Sequence, residues 1–278
     1  MSLLKETTPL LSVRGLCKYF PVLSKGLIRR QTGVVKACHE ISFDLGRGET
    51  LGIVGESGSG KSTLARTLLR VTRPTSGSAM FYGEDPVDLA TLSSGELALV
   101  RPQLQMIFQD PFSSLNPRMT VEQIVGEPLL IHRRARGGEL QDRVTAMLRR
   151  VGIRPEYRGR YPHAFSGGQR QRIGIARALI LEPTLVVADE AVSALDVSVQ
   201  AQVVNLLRDL QEELGLTYLF IAHDLSVVRH VAQRVAVMTR GEIVEMGETA
   251  QVFDDPQHEY TQRLLGSVLD PDPDRPRL

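Results

Sequence analysis

In the run Gly55-Glu56-Ser57-Gly58-Ser59-Gly60-Lys61-Ser62-Thr63 the first eight residues fit the pattern G-x-x-x-x-G-K-[ST] in full. The chemistry open to such a run is holding phosphate. Its glycines let the backbone turn successive amides inward, and a helix opening at Lys61 aims its positive end at the same anion. Lys61 would neutralise the β- and γ-phosphates of a nucleotide, and the Ser62 hydroxyl would ligate Mg²⁺. The plainer reading is a glycine-rich turn that binds nothing. An apolar run before the loop (Leu51-Gly52-Ile53-Val54) and a helical pattern after it weigh against that. ATP with Mg²⁺ is the expected ligand.

Two further clusters have the composition to act on a nucleotide. Asp189-Glu190 ends the apolar run Leu185-Val186-Val187-Ala188. An aspartate there would hold the metal through a water, and a glutamate would polarise the attacking water. Alone, such a pair could simply cap the next element. The second cluster is Ser166-Gly167-Gly168-Gln169-Arg170, where Ser166 and Gln169 have capping-box spacing. A hydroxyl, two glycines and a helix's positive end make another anion site. One nucleotide does not need two such sites from one molecule, so Ser166 and Gly168 are expected to serve a nucleotide held by a second subunit. An ordinary N-cap accounts for Ser166 but not for the adjacent glycines.

These residues need a scaffold, and the apolar runs supply it. Met106-Ile107-Phe108 leads into Gln109-Asp110, and Leu219-Phe220-Ile221-Ala222 leads into His223-Asp224, as the two runs above lead into their own polar residues. Unalternating runs of this length read as strands buried on both faces. Ligands of such sheets sit beyond the carboxyl ends of the strands. Helices alternate with the runs, over Lys61 to Arg70 and over Gln200 to Leu214. The latter carries Val203, Leu206, Leu207, Leu210 and Leu214 on one stripe, with Gly215 as the stop. Thr120 and Gln123 repeat the capping-box spacing. From about 110 to 182 the periodicity is helical, which reads as a helical subdomain inserted between two parts of the sheet. Its arginines, including Arg133, Arg134, Arg136, Arg149 and Arg150, read as a solvated face ahead of a phosphate- or partner-binding one.

The bulk properties set bounds. The chain has 278 residues and a formal net charge of +1, which by itself predicts no polyanion partner and so no nucleic acid. Cys17 and Cys38 have no metal-ligand spacing and form no disulfide framework, consistent with a reducing compartment. No run approaches the roughly 18 apolar residues of a membrane span. The proline-rich, charged tail after Leu269 is expected to be disordered.

In this order, GESGSGKST, FSGGQRQR, LVVADE, SALD and IAHD resemble the ATP-binding subunits of ABC transporters, over about residues 10–268. The resemblance implies an α/β fold of the P-loop NTPase (RecA-like) type, a mainly parallel sheet core with an antiparallel β subdomain and an inserted α-helical subdomain. It puts the ATPase domain at 10–269, with the core at about 10–109 and 183–252 and the helical subdomain at about 110–182. Residues 253–278 are then a C-terminal extension. Gln109 resembles the glutamine that reaches the metal and attacking water and connects to the membrane partner. Asp196 resembles the aspartate that communicates across a dimer interface, and His223 the histidine that contacts the γ-phosphate. Phe20, or Tyr19 beside it, resembles the aromatic that stacks on adenine. Two departures stand near the motifs: Phe165 replaces the usual leucine before Ser166, and Ala191-Val192 follows the acidic pair where proline and a small polar residue are common.

Three segments, QDPFSSLNPRMTV, VSVQAQVV and DDPQHEYTQRLL, resemble the peptide/nickel importer ATPases; Glu259 stands where the last motif usually has proline. That resemblance implies a homo- or heteromeric pair of ATP-binding subunits, two membrane permease subunits, an external solute-binding protein, and a place on the cytoplasmic side of the inner membrane. Peptide is the first solute; nickel, glutathione-like compounds and phosphonates stay open. Many relatives hold an iron–sulfur cluster in a cysteine-bearing tail, but no cysteine follows Cys38, so no cluster is expected. Three other readings remain. They are a soluble ABC-type ATPase of translation or DNA repair, a P-loop kinase (which leaves SGGQR and His223 unexplained), and a non-catalytic nucleotide clamp (against which Glu190 stands).

Overall fold

A computed structural model describes residues 8–24, 31–110 and 114–267. The tail after Leu269 and residues 111–113 of the QDPFSSLNP segment lie outside them. The strands are β1 (Leu11–Leu23), β2 (Gln31–Leu45), β3 (Thr50–Val54), β4 (Ser76–Tyr82) and β5 (Pro86–Asp88). They continue with β6 (Leu104–Ile107), β7 (Leu185–Asp189), β8 (Thr217–Ile221), β9 (Arg234–Thr239) and β10 (Glu242–Glu248). The α-helices are α1 (Lys61–Leu68), α2 (Ser94–Val100), α3 (Val121–Ile131), α4 (Gly137–Arg150) and α5 (Gly167–Leu179). Then come α6 (Val197–Leu214), α7 (Leu225–Val231), α8 (Thr249–Asp254) and α9 (Glu259–Gly266). Two compact units result, one holding the described residues up to Ser93 and from Phe220 on, the other Ser94–Leu219. The division falls inside β8.

The first unit contains an antiparallel sheet ordered β2-β1-β4-β5. Strand β1 pairs with β2 from Leu11↔Leu45 to Leu23↔Gln31 through several register shifts. Such bulges bend a long hairpin and redirect its side chains. The end of β2 alternates, with Ile41, Phe43 and Leu45 buried and Glu40 and Ser42 exposed, which is the pattern of a sheet covered on one face. Strand β3 differs: all five residues are buried. It runs parallel to β9 in the register Leu51↔Arg234 to Val54↔Val237, and β9 pairs antiparallel with β10. Each fully buried aliphatic side chain in such a strand stabilises the fold by roughly 1.5–3 kcal/mol relative to exposure.

In the second unit β6 runs parallel to β7, from Leu104↔Leu185 to Ile107↔Ala188. The start of β8 joins them, Thr217 N donating to Thr184 O. Between β6 and β7 the described residues form helices and turns and no strand. Both predicted capping boxes are formed, Thr120 with Gln123 at α3 and Ser166 with Gln169 at α5. Helix α6 stops at Gly215, whose φ of 65° is the left-handed cap geometry. The five arginines between Arg133 and Arg150 named above are exposed.

Candidate functional site

In the first unit the chain leaves β3 at Val54 and turns through Gly55–Gly60 into α1. Gly60 has φ 108°, and a Cβ there would lie 2.1 Å from Ala37 O of β2, so only glycine fits. It is also the N-cap of α1: no side chain caps the helix and no acidic residue stands in its first turn. No carboxylate on the helix therefore offsets its positive end. Lys61 is 4% exposed, and its Nζ donates to Gly55 O at 2.6 Å, Glu56 O at 2.8 Å and Ser59 Oγ at 3.4 Å. A buried ammonium is tolerated only with such acceptors around it.

Three elements brace this loop. The Arg240–Gly241 turn between β9 and β10 lies behind it, Gly241 N donating to Ser59 O at 2.9 Å while His39 N of β2 donates to Gly241 O at 2.7 Å. Cys38, buried beside them, has its thiol 3.9 Å from Gly60 O; burial pushes that thiol up to about 12. From α9, the Tyr260 hydroxyl accepts a hydrogen bond from Glu56 N at 3.2 Å.

The neighbouring aromatics divide by what they touch. The Tyr19 hydroxyl lies 2.6 Å from His39 Nδ1 and 3.4 Å from Cys17 Sγ. Burial raises the Cys17 thiol, but hydrogen bonds from Tyr19 and the Glu40 amide outweigh it and bring the thiol to about 7. Phe20 is 40% exposed, with Lys18 Nζ 4.7 Å from its ring centroid, so it presents the more accessible face for stacking. His223 is exposed and follows Ala222, whose N–H reaches Ile53 O of the strand that leads into the phosphate loop. Asp224 beside it N-caps α7 through Ser226 N at 2.9 Å.

The second unit carries Gln109 at the carboxyl end of β6 and Asp189 and Glu190 at that of β7. Gln109 is exposed just beyond β6. Asp189 closes β7 and is 6% exposed, while Glu190 follows at φ 50°. A left-handed backbone at a glutamate is uncommon and costs energy, and such strain concentrates at functional positions. Ser193 N and Oγ both donate to Glu190 O, at 3.1 and 2.9 Å, and hold the turn. Ala191 and Val192, the residues that depart from the usual pattern, are buried at 1% and 3% exposure.

Gln171 went unnoticed in the sequence. Its amide nitrogen, in a residue 2% exposed, donates to Ala191 O at 2.5 Å and Phe108 O at 3.3 Å. It ties α5 to the turns that carry Gln109 and Glu190. The only sequence signal was its place in FSGGQRQR. At the head of α5, Ser166 Oγ accepts from Gln169 N at 3.4 Å and Gln169 Oε1 accepts from Ser166 N at 3.1 Å. Phe165 is buried edge-on against Tyr157, which accommodates the larger ring. A Cβ on Gly168 would come within 2.4 Å of Val199 Cγ1 on α6. That glycine therefore has a packing reason beside any role with an anion. Asp196 is exposed, and its carbonyl rather than its side chain starts α6, through Val199 N and Gln200 N.

The ABC transporter family profile matches residues 38–193, and the profile for the oligopeptide/dipeptide transporter C-terminal region matches residues 244–278. The oligopeptide transport ATP-binding protein AppF of Bacillus subtilis (strain 168) is 55% identical over 260 residues, 93% of this chain and 78% of that protein. The glutathione import ATP-binding protein GsiA of Salmonella typhimurium is 54% identical over 272 residues, 98% of this chain; the chain spans only 43% of that longer protein. Among solved structures, the dimeric ATP-binding cassette MJ0796 bound to ADP and phosphate superposes with a TM-score of 0.74 at 28% identity, covering 86% of this chain and 98% of that one. CbiO1 of Clostridium perfringens gives 0.74 at 29% identity, covering 92% and 93%.

Proposed function

The chain belongs to the ABC transporter family and is one of its ATPase cassettes, and from that premise we propose that it drives the import of peptides through partner membrane subunits. The observation that carries the ATP half is the uncapped, carboxylate-free head of α1 with Lys61 folded into the glycine loop before it. Support for peptide comes from the C-terminal region matched over residues 244–278 and from the likeness to AppF. Glutathione is a second reading, favoured by the likeness to GsiA.

In this reading the loop of Gly55, Glu56, Ser57, Gly58, Ser59, Gly60, Lys61, Ser62 and Thr63 wraps the phosphates, with the Glu56 amide kept by the Tyr260 hydroxyl, and the Lys61 ammonium turns from loop carbonyls to the β- and γ-phosphates. Phe20 stacks on adenine. Ser62, Gln109 and Asp189 offer hydroxyl, amide and carboxylate oxygens, the hard donors that suit Mg²⁺. When bound, Mg²⁺ supplies charge neutralisation on the phosphates. Glu190 orients and polarises the attacking water, and His223 hydrogen-bonds the γ-phosphate. Ser166, Gly167, Gly168, Gln169 and Asp196 face the nucleotide held by a second ATP-binding subunit, so the isolated chain is a poor ATPase.

Among the described residues no helix is long and apolar enough to cross a membrane. We place the chain at the cytoplasmic face of the inner membrane, held by two permease subunits that receive solute from an external binding protein. Glu190→Gln tests the chemistry: it should abolish turnover while ATP binding persists and the pair stays closed. Unchanged hydrolysis would reject Glu190 as the base. Reconstituting the pair with its permeases in liposomes, and asking whether peptide or glutathione delivered by the binding protein stimulates ATPase activity, separates the two solutes.

A further inference from the structure

Helix α9 lies in the matched C-terminal region, yet its tyrosine reaches the phosphate loop. Glu56 donates its backbone N–H to the Tyr260 hydroxyl at 3.2 Å, and its carbonyl accepts from Lys61 Nζ at 2.8 Å. A single loop residue is thus held from one side by α9 and grips the ammonium from the other. The two side chains are buried, Tyr260 at 9% exposure and Lys61 at 4%. Both bonds are part-buried, which strengthens them relative to bonds in open solvent.

The tyrosine is itself held in place. The Glu245 carboxylate of β10 accepts from Gln257 N at 2.8 Å and His258 N at 3.0 Å. His258 in turn N-caps α9, its Nδ1 accepting from Tyr260 N at 3.1 Å. Burial raises the Glu245 carboxyl, but the Gln257 and His258 amides and the Thr261 side chain lower it further, to below its ordinary value. A continuous line of hydrogen bonds therefore runs from Glu245 through His258 and Tyr260 to Glu56 and Lys61.

We propose that Tyr260 is a positioning residue for the phosphate loop: its hydroxyl fixes Glu56 and with it the loop backbone that wraps the phosphates, so that the C-terminal segment sets the affinity for nucleotide. This rests on the reading of that loop as the ATP site. Tyr260→Phe removes the hydroxyl and keeps the ring in its packing. The test titrates the full-length chain with Mg²⁺ and a fluorescent ATP analogue, and measures Tm alongside. In Tyr260→Phe, binding should weaken by up to about fivefold, the worth of one neutral hydrogen bond, with Tm lowered by no more than about 2–4 °C. In the assembled transporter the same variant should raise KM for ATP and leave kcat. Glu245→Ala should weaken binding in the same direction, and the double variant no further than the stronger single one, since both act through one hydroxyl. Wild-type binding with unchanged affinity in Tyr260→Phe, or a loss accompanied by a fall in Tm well beyond that of one hydrogen bond, overturns the proposal alone. Absence of nucleotide binding by the wild type overturns the ATP reading and this proposal with it.

Discussion

The heads of α1 and α5 both read as anion sites in the sequence, but they are finished differently. The head of α1 has a glycine N-cap and no side-chain cap. The head of α5 is closed by its own capping box, Ser166 with Gln169. Both use glycine, again for different reasons: Gly60 because backbone from β2 crowds it and φ is positive, Gly168 because a side chain of α6 does. A helix end with no cap relies on its ligand to satisfy its amides, whereas a self-capped end is stable alone and must exchange an internal bond for a ligand. The first suits a nucleotide that the chain holds itself. The second suits one that arrives with a partner and leaves with it.

Lys61→Ala should give the largest effect. It removes the ammonium from the open end, and nucleotide affinity should fall at least a hundredfold, about 2.7 kcal/mol, in direct titration. Retention of affinity would mean that the amides of α1 suffice and the contrast with α5 is smaller than drawn. Gly168→Ala comes next. Overpacking against Val199 should cost about 1–3 kcal/mol in denaturant unfolding, and Val199→Ala should return most of it. If the pair regains stability but not ATPase activity, Gly168 acts on the nucleotide as well as on α6. Smallest are Ser166→Ala and Thr120→Ala, which break the two capping boxes at about 1 kcal/mol each. They should match in unfolding, and only Ser166→Ala should slow turnover by the assembled pair. Equal loss of turnover would reduce Ser166 to a cap.

The elements that announce themselves locally were legible. Strands β3, β7 and β8 are unbroken apolar runs, and the boxes at Thr120 and Ser166 are three-residue spacings. Helix α6 was legible in its stop and in Val203, Leu207 and Leu210. It begins three residues earlier than its apolar period suggests, and it buries Val204 while Leu206 and Leu214 are only half-buried. A period marks a face but not its edges. The β1–β2 hairpin, with its register shifts, has no simple alternation to read. What escaped the sequence was contact at long range. Gln171 meets chain 63 and 20 residues away, and Tyr260 meets Glu56 across 204. Such pairings leave no spacing pattern, because nothing between the partners needs to keep a period. The glycine pair of the SGGQR segment was half explained. The sequence suggested an anion site there, but the demand of Val199 on Gly168 left no sign in it.

The turn at Arg240–Gly241 has a practical consequence. By length it is an ordinary two-residue hairpin, the kind of place where a peptide tag or a fused domain is commonly inserted. Here its glycine carries backbone bonds to Ser59 on one side and His39 on the other. An insertion that left both strands intact would still pull the splint from behind the phosphate loop, and a probe spliced there would report on a crippled protein.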